Sequence, residues 1–202
     1  MFNYTIPLWL QSLFPSLTWK VKTAQQEVYF TFDDGPHPEI TPWVVDKLQE
    51  YNAKATFFCV GENVSKFPQT HQLLLDKGHT VGNHTYNHLK GWQTDNKTYL
   101  ENIEKCNELT RSKVFRPPYG RIKPSQIKLL KDHYKIIMWD VLTCDYDKSL
   151  LPQQIINAVK HKIVPGSIIV LHDSLKAEKN MKAILPELLK LCVEKGYTFG
   201  KF

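Results

Sequence analysis

The chain has no CxxC pair, no run of basic residues interleaved with aromatics, and no repeat or low-complexity segment. Its four cysteines, Cys59, Cys106, Cys144 and Cys192, lie far apart. They read as small hydrophobes and free thiols, although an exported protein would leave three disulfide pairings arithmetically open. Without a basic aromatic run, a nucleic-acid module has no footprint, and no nucleic-acid partner is expected. The first 21 residues, MFNYTIPLWLQSLFPSLTWKV, lack the basic n-region and small-x-small cleavage site of a signal peptide. Pro7, Gln11, Ser12 and Pro15 interrupt them too often for a transmembrane segment. A membrane-surface role for them is left open, although they lack the Lys/Arg face that favours one. The expectation is an aromatic-rich arm over residues 1–26, packed on one end of a single core formed by residues 27–202. The location is left open between cytoplasm and cell envelope, and so is the oligomeric state.

What is present is enough apolar material for one substantial core. Apolar residues make up 42% of the 202 positions, which argues for one domain and against disorder. Against 20 acidic residues stand 26 basic ones, giving a net charge of +6. The lysines are scattered, as on a mildly basic surface.

Along the chain, apolar runs alternate with helical patterns. Strands are expected at 28–32, 54–60, 80–82, 114–115, 134–139, 167–171 and 197–199. Helices are expected at about 42–51, with Thr41 as cap and Pro42 first, and at 65–77, 97–110, 124–132, 151–161 and 182–195. The runs are continuous in hydrophobicity, as parallel strands covered on both faces require. Seven such units make an α/β fold, either a small barrel or a doubly wound sheet.

Polar residues follow the strands. Asp33 and Asp34 follow the first, His84 and His88 the third, Arg116 the fourth, Asp140 and Asp145 the fifth, and His172 and Asp173 the sixth. In α/β folds the carboxyl ends of strands carry ligands and catalysis. The spacing of "HTYNH" puts both imidazoles on one side of a helix or helical turn, and no glutamate lies between them to act as a base. A third ligand from the Asp33–Asp34 pair would complete a His₂Asp site suited to Zn²⁺ with positions left open. Two adjacent carboxylates need compensation, which a cation gives one and the Arg116 guanidinium the other. His172 gains a proton-handling role if Asp145 or Asp173 contacts one ring nitrogen.

These stretches also resemble a known family. "TFDDGP", "HTYNH", "RPPYG", "WDVLTCDY" and "VLHD" are similar, in order, to five motifs of the polysaccharide deacetylases, the NodB-homology enzymes of carbohydrate esterase family 4. The resemblance spans about 27–199. It implies an irregular (β/α)7-type barrel and metal-dependent removal of N-acetyl groups from an amino sugar in a poly- or oligosaccharide. It further implies Asp34, His84 and His88 as ligands of one divalent ion, Zn²⁺ first and Co²⁺, Ni²⁺ or Mn²⁺ as alternatives. By the same resemblance Asp33 is the base and Arg116 orients it. The Tyr119 amide helps hold the oxyanion, and His172 is the acid that Asp145 tunes. Tyr146, Val170 and Leu171 belong to the substrate pocket, and Trp92 is either a sugar-stacking ring or an anchor for its own loop. Leu142 and Tyr146 depart from the usual aspartate and tryptophan of the fourth motif, and Val170 from a common leucine of the fifth, so the pocket wall differs. The alternatives are an amidohydrolase for a small C–N substrate and a catalytically silent glycan-binding protein.

Overall fold

Runs such as VYFTF bury side chains on both sides of the backbone, which only a sheet covered on both faces accommodates. In the computed structural model, which describes residues 8–202, eight strands and eight α-helices follow one another among the described residues. The strands are β1 (Glu27–Asp33), β2 (Thr56–Cys59), β3 (Thr80–Asn83), β4 (Val114–Phe115), β5 (Lys135–Ile136), β6 (Val141–Leu142), β7 (Ile168–His172) and β8 (Thr198–Phe199). Their order is β5-β4-β3-β2-β1-β7-β6, and every neighbouring pair is parallel. β8 joins only the start of β1, at Glu27 and Val28. The result is a curled, open, irregular (β/α) half-barrel rather than a closed one.

The helices are α1 (Leu8–Leu13), α2 (Ile40–Glu50), α3 (Gly61–Lys66), α4 (Pro68–Asp76), α5 (Asn96–Thr110), α6 (Pro124–Leu130), α7 (Pro152–Val159) and α8 (Glu178–Glu194). The single helix expected over 65–77 is two, because Pro68 lacks an N–H and opens a new helix at its first turn. Thr41 does not cap α2. It lies inside the helix, and its hydroxyl accepts from the His37 amide (2.8 Å) while donating to Asp173 (2.5 Å).

Strand alternation divides the core in two. Phe30 and Phe32 of β1, Phe57 of β2, and Ile169 and Leu171 of β7 join the cluster beneath α2, α7 and α8. Tyr29, Phe58, Ile168 and Val170 point the other way, into the concave side with Phe115, Met138 and Trp139. Asp33 shares the concave parity of Tyr29 and Thr31, and His172 that of Val170. These charged groups therefore sit at the mouth of the concave face by position alone.

One expected placement is corrected. The run 134–139 forms a strand only at Lys135–Ile136, and β6 begins at Val141. Asp140 thus precedes a strand instead of following one. Its carboxylate accepts from the Ile168 amide (2.6 Å) and the Ser167 hydroxyl (2.9 Å), at the amino end of β7 and away from the mouth.

Residues 1–7 of the expected arm lie outside the described residues. Further along, Leu17 and Trp19 are buried in the concave cluster. The Thr18 amide donates to Ile136 O (2.9 Å), Met138 donates to Thr18 O (2.8 Å), and Val21 donates to Gly166 O (2.9 Å). This stretch occupies the free hydrogen-bonding edge of β5, which would otherwise be an open pairing site.

The turn after β1 is held from below. Asp173, wholly buried, accepts from the Gly35 amide (3.1 Å) and from Thr41. A Cβ on Gly35 would meet Asp173 Oδ2 at 2.1 Å. Gly35→Ala should therefore cost about 2 kcal/mol or more, since neither the buried carboxylate nor the turn has room to give. Urea denaturation checks this, and a midpoint equal to that of the unmodified chain would contradict it.

Candidate active site

Each polar group at the mouth is aimed by local backbone chemistry. Asp34 (φ 78°), Thr85 (φ 63°), His88 (φ 60°), Tyr119 (φ 61°) and Cys144 (φ 57°) all adopt left-handed backbone without being glycine. Such a conformation costs an L-residue about 1–2 kcal/mol, so surrounding bonds must hold it. For Asp34 the hold is Asn63, whose side-chain amide donates to the Asp34 carbonyl (2.7 Å).

The two histidines of "HTYNH" are not on a helix, as their spacing suggested. The segment leaves β3 in an irregular turn. The Thr85 amide donates to the Asn83 side chain (2.9 Å), and Leu89 donates to the Thr85 hydroxyl (3.0 Å). Left-handed residues at Thr85 and His88 bring the rings back to within 5.1 Å, centroid to centroid. His84 Nδ1–H donates to the Arg116 carbonyl (2.7 Å), which fixes the tautomer and leaves Nε2 free to ligate.

Asp34 Oδ1 lies 3.2 Å from His88 Nε2 and 3.8 Å from His84 Nε2. The ligand atoms of these three residues all fall within 4.8 Å of one another. Burial pushes the His84 ring down to about 4, so it is a neutral ligand at ordinary pH. Burial acts to raise the Asp34 carboxyl, but its hydrogen bond to His88 and the nearby His172 and His84 hold it well below the usual range. One ionised carboxylate and two imidazoles form a donor set that fits a single divalent cation.

Asp33 goes elsewhere. Arg116, with no exposed surface, donates from Nη1 to Asp33 Oδ1 (2.7 Å) and to the Thr31 hydroxyl (2.7 Å). Its Nε and Nη2 donate to the carbonyls of Ile137 (3.2 Å) and Met138 (2.9 Å). The guanidinium lies 4.2 Å over the Phe58 ring, and Phe58 fits because a Cβ on Gly82 would strike that ring at 2.5 Å.

Across the mouth, β1 and β7 pair so that Asp33 stands beside His172 in register. His172 Nδ1 and Asp145 Oδ1 are 2.7 Å apart, and Asp145 Oδ2 accepts from the His172 amide (2.8 Å). The orienting carboxylate is thus Asp145, not Asp173, which strand alternation turns toward Gly35. Burial opposes charge on His172, but Asp145 overrides it and lifts the ring to about 9.

Asp33, Asp34, His84, His88 and His172 line one cavity of about 660 Å³ with Tyr119, Trp139, Leu142, Tyr146 and Val170, while Arg116 and Asp145 lie buried behind it. The Tyr146 ring meets His172 edge-on at 5.1 Å, and Tyr119 packs on His88 at 4.7 Å. No protein acceptor pairs with the Tyr119 amide among the described residues. Leu171 is placed outside the cavity, buried in the helix-side cluster because alternation gives the concave face to Val170. Trp92 does not line the cavity either. It is 59% exposed, and its indole N–H donates to Ile122 O (3.1 Å), which ties the loop down. Sequence reasoning gave no role to Thr31, which opens "TFDDGP", nor to Asn63, Phe58 and the cavity-lining Arg121 and Lys176, which lie outside the quoted motifs.

Comparison with known proteins places this geometry. A family profile, polysaccharide deacetylase, matches residues 20–134. A peptidoglycan-N-acetylglucosamine deacetylase of Bacillus cereus is 39% identical over 155 residues, covering 73% of this chain and 56% of the relative. A second B. cereus protein described in the same words is 32% identical over 190 residues, covering 91% of this chain and 89% of the relative. This chain thus spans little more than half of the first relative's length and most of the second's. A crystal structure of a peptidoglycan N-acetylglucosamine deacetylase superposes with TM-score 0.85 at 33% identity, covering 93% of this chain and 91% of that one.

Asp34→Ala should weaken Zn²⁺ or Co²⁺ binding more than the roughly 10–100-fold typical of losing an outer partner. Asp33→Ala should weaken it far less. Calorimetric metal titration checks both, and equal losses would contradict the separation of the two carboxylates.

Proposed function

We propose that this chain, which belongs to the polysaccharide deacetylase family, hydrolyses the N-acetyl groups of amino sugars in a cell-envelope glycan, with residues 27–202 as the catalytic unit and 1–26 as an arm on it. The observation that carries the reading is that adjacent aspartates in one cavity have different partners. Asp34 meets two imidazoles and Asp33 a buried guanidinium, while His172 stands beside Asp33 with Asp145 on its Nδ1.

Asp34, His84 and His88 would hold one divalent ion, most suitably Zn²⁺, which when bound supplies Lewis acidity to the acetyl carbonyl and acidifies a water. Asp33 accepts the proton of the attacking water, held in place by Arg116. The Tyr119 N–H donates to the oxygen on which negative charge grows as water adds to the amide carbon. His172, kept protonated by Asp145, gives its proton to the sugar nitrogen as the C–N bond breaks. The products are acetate and a free amine. Val170, Leu142, Tyr146 and Trp139 wall the space around the acetyl group.

The similarity to peptidoglycan-N-acetylglucosamine deacetylases supports a wall glycan over a small C–N substrate. A complete set of ligands, base and acid supports activity over silent binding. The test is acetate release from N-acetylated oligosaccharides and peptidoglycan by metal-loaded protein. No release from any acetylated glycan, by protein shown to bind the metal, would overturn the reading.

The pH dependence follows from His172. Its pKa is raised to about 9, so the ring carries its proton below that pH and loses it above. The kcat/KM should fall as pH rises through about 9. Asp145→Asn removes the charge that raises the pKa, so the alkaline limb should move about 1–3 units toward neutrality. An alkaline limb unmoved in the variant would exclude His172 as the proton donor.

A further inference from the structure

The deacetylase site leaves the N-terminal segment unexplained. None of the first 19 residues is charged, and on α1 Trp9 is 66% and Leu13 62% exposed. An exposed tryptophan and leucine on an uncharged segment form the apolar half of a membrane-surface element. Basic residues, absent from this stretch of sequence, lie beside its end. Ser16, three residues past α1, lines a shallow hollow together with Lys113, Lys131, His133 and Lys135, and Asp132 is its one acidic member. Lys113 immediately precedes β4 and Lys135 opens β5. The hollow therefore lies at the amino ends of the strands, opposite the mouth.

We propose that this face docks on an anionic lipid surface. Trp9 and Leu13 enter the acyl boundary, and Lys113, Lys131 and Lys135 meet the headgroup phosphates. No helix of the described residues is long and apolar enough to cross a membrane. Docked this way, the mouth faces away from the bilayer, toward the glycan of the proposed reaction; that orientation rests on the functional reading, whereas the docking does not. A soluble anionic polymer would account for the lysines but not for the exposed Trp9 and Leu13.

The test is co-sedimentation of the full chain with vesicles of pure phosphatidylcholine or of phosphatidylcholine with phosphatidylglycerol. Binding should require the anionic lipid and should weaken in high salt. Trp9→Ala/Leu13→Ala and, separately, Lys131→Gln/Lys135→Gln should each lower the partition coefficient about tenfold. Acetate release from a soluble oligosaccharide and the thermal midpoint should stay unchanged in both variants, which separates failure of docking from failure of the enzyme reading. Absence of binding to anionic vesicles would overturn the proposal. So would binding unaffected by the Trp9/Leu13 change, or retention on soluble polyglutamate as tight as on vesicles.

Discussion

A guanidinium with no exposed surface lies inside the barrel, and the mouth is organised around it. Taking Arg116 out of water costs several kcal/mol, which only a full set of acceptors offsets. Asp33 and the Thr31 hydroxyl provide two, and the carbonyls of Ile137 and Met138 provide two more. Past the end of β5 the amides of Ile137 and Met138 still pair, with the Phe115 and Thr18 carbonyls, while their own carbonyls turn to Arg116. The Arg116 carbonyl in turn accepts from His84, so one residue positions the proposed base through its side chain and a metal ligand through its backbone.

Charge separation is the second requirement. Two aspartates in sequence would repel if they shared one environment, and the left-handed backbone at Asp34 keeps them apart. It sends Asp34 toward His84 and His88 while Asp33 continues the parity of β1. The strain is met by Asn63 at the Asp34 carbonyl and by Asp173 at Gly35, both remote in sequence. Strained backbone recurs at Thr85, His88, Tyr119 and Cys144, beside or within the groups that face the cavity.

Much of this was legible in the chain itself. Continuous apolar runs gave the parallel α/β arrangement, and five ordered motifs pointed to residues that the structure gathers in one cavity: Asp33, Asp34, His84, His88, Tyr119, Tyr146, Val170 and His172. Period-two alternation, applied strictly to "VLHD", would also have sent Leu171 to the helix side and Val170 to the mouth. Local chemistry sufficed there because each residue's direction depends on its own strand.

Tertiary structure decided what depends on distant segments. Whether Asp145 or Asp173 holds His172 turns on how β6 and β7 pair, and the placement of Asp140 turns on where β5 stops. The histidine pair converges through left-handed turns stabilised by Asn83 and Asn102, not through helical spacing. The lysines beside the N-terminal segment come from the approaches to β4 and β5, about a hundred residues away in sequence. Sequence determines the residues and the period of each element. Which remote backbone groups and charges meet them is set by pairing across the sheet, since burying a polar group is tolerable only where such partners arrive.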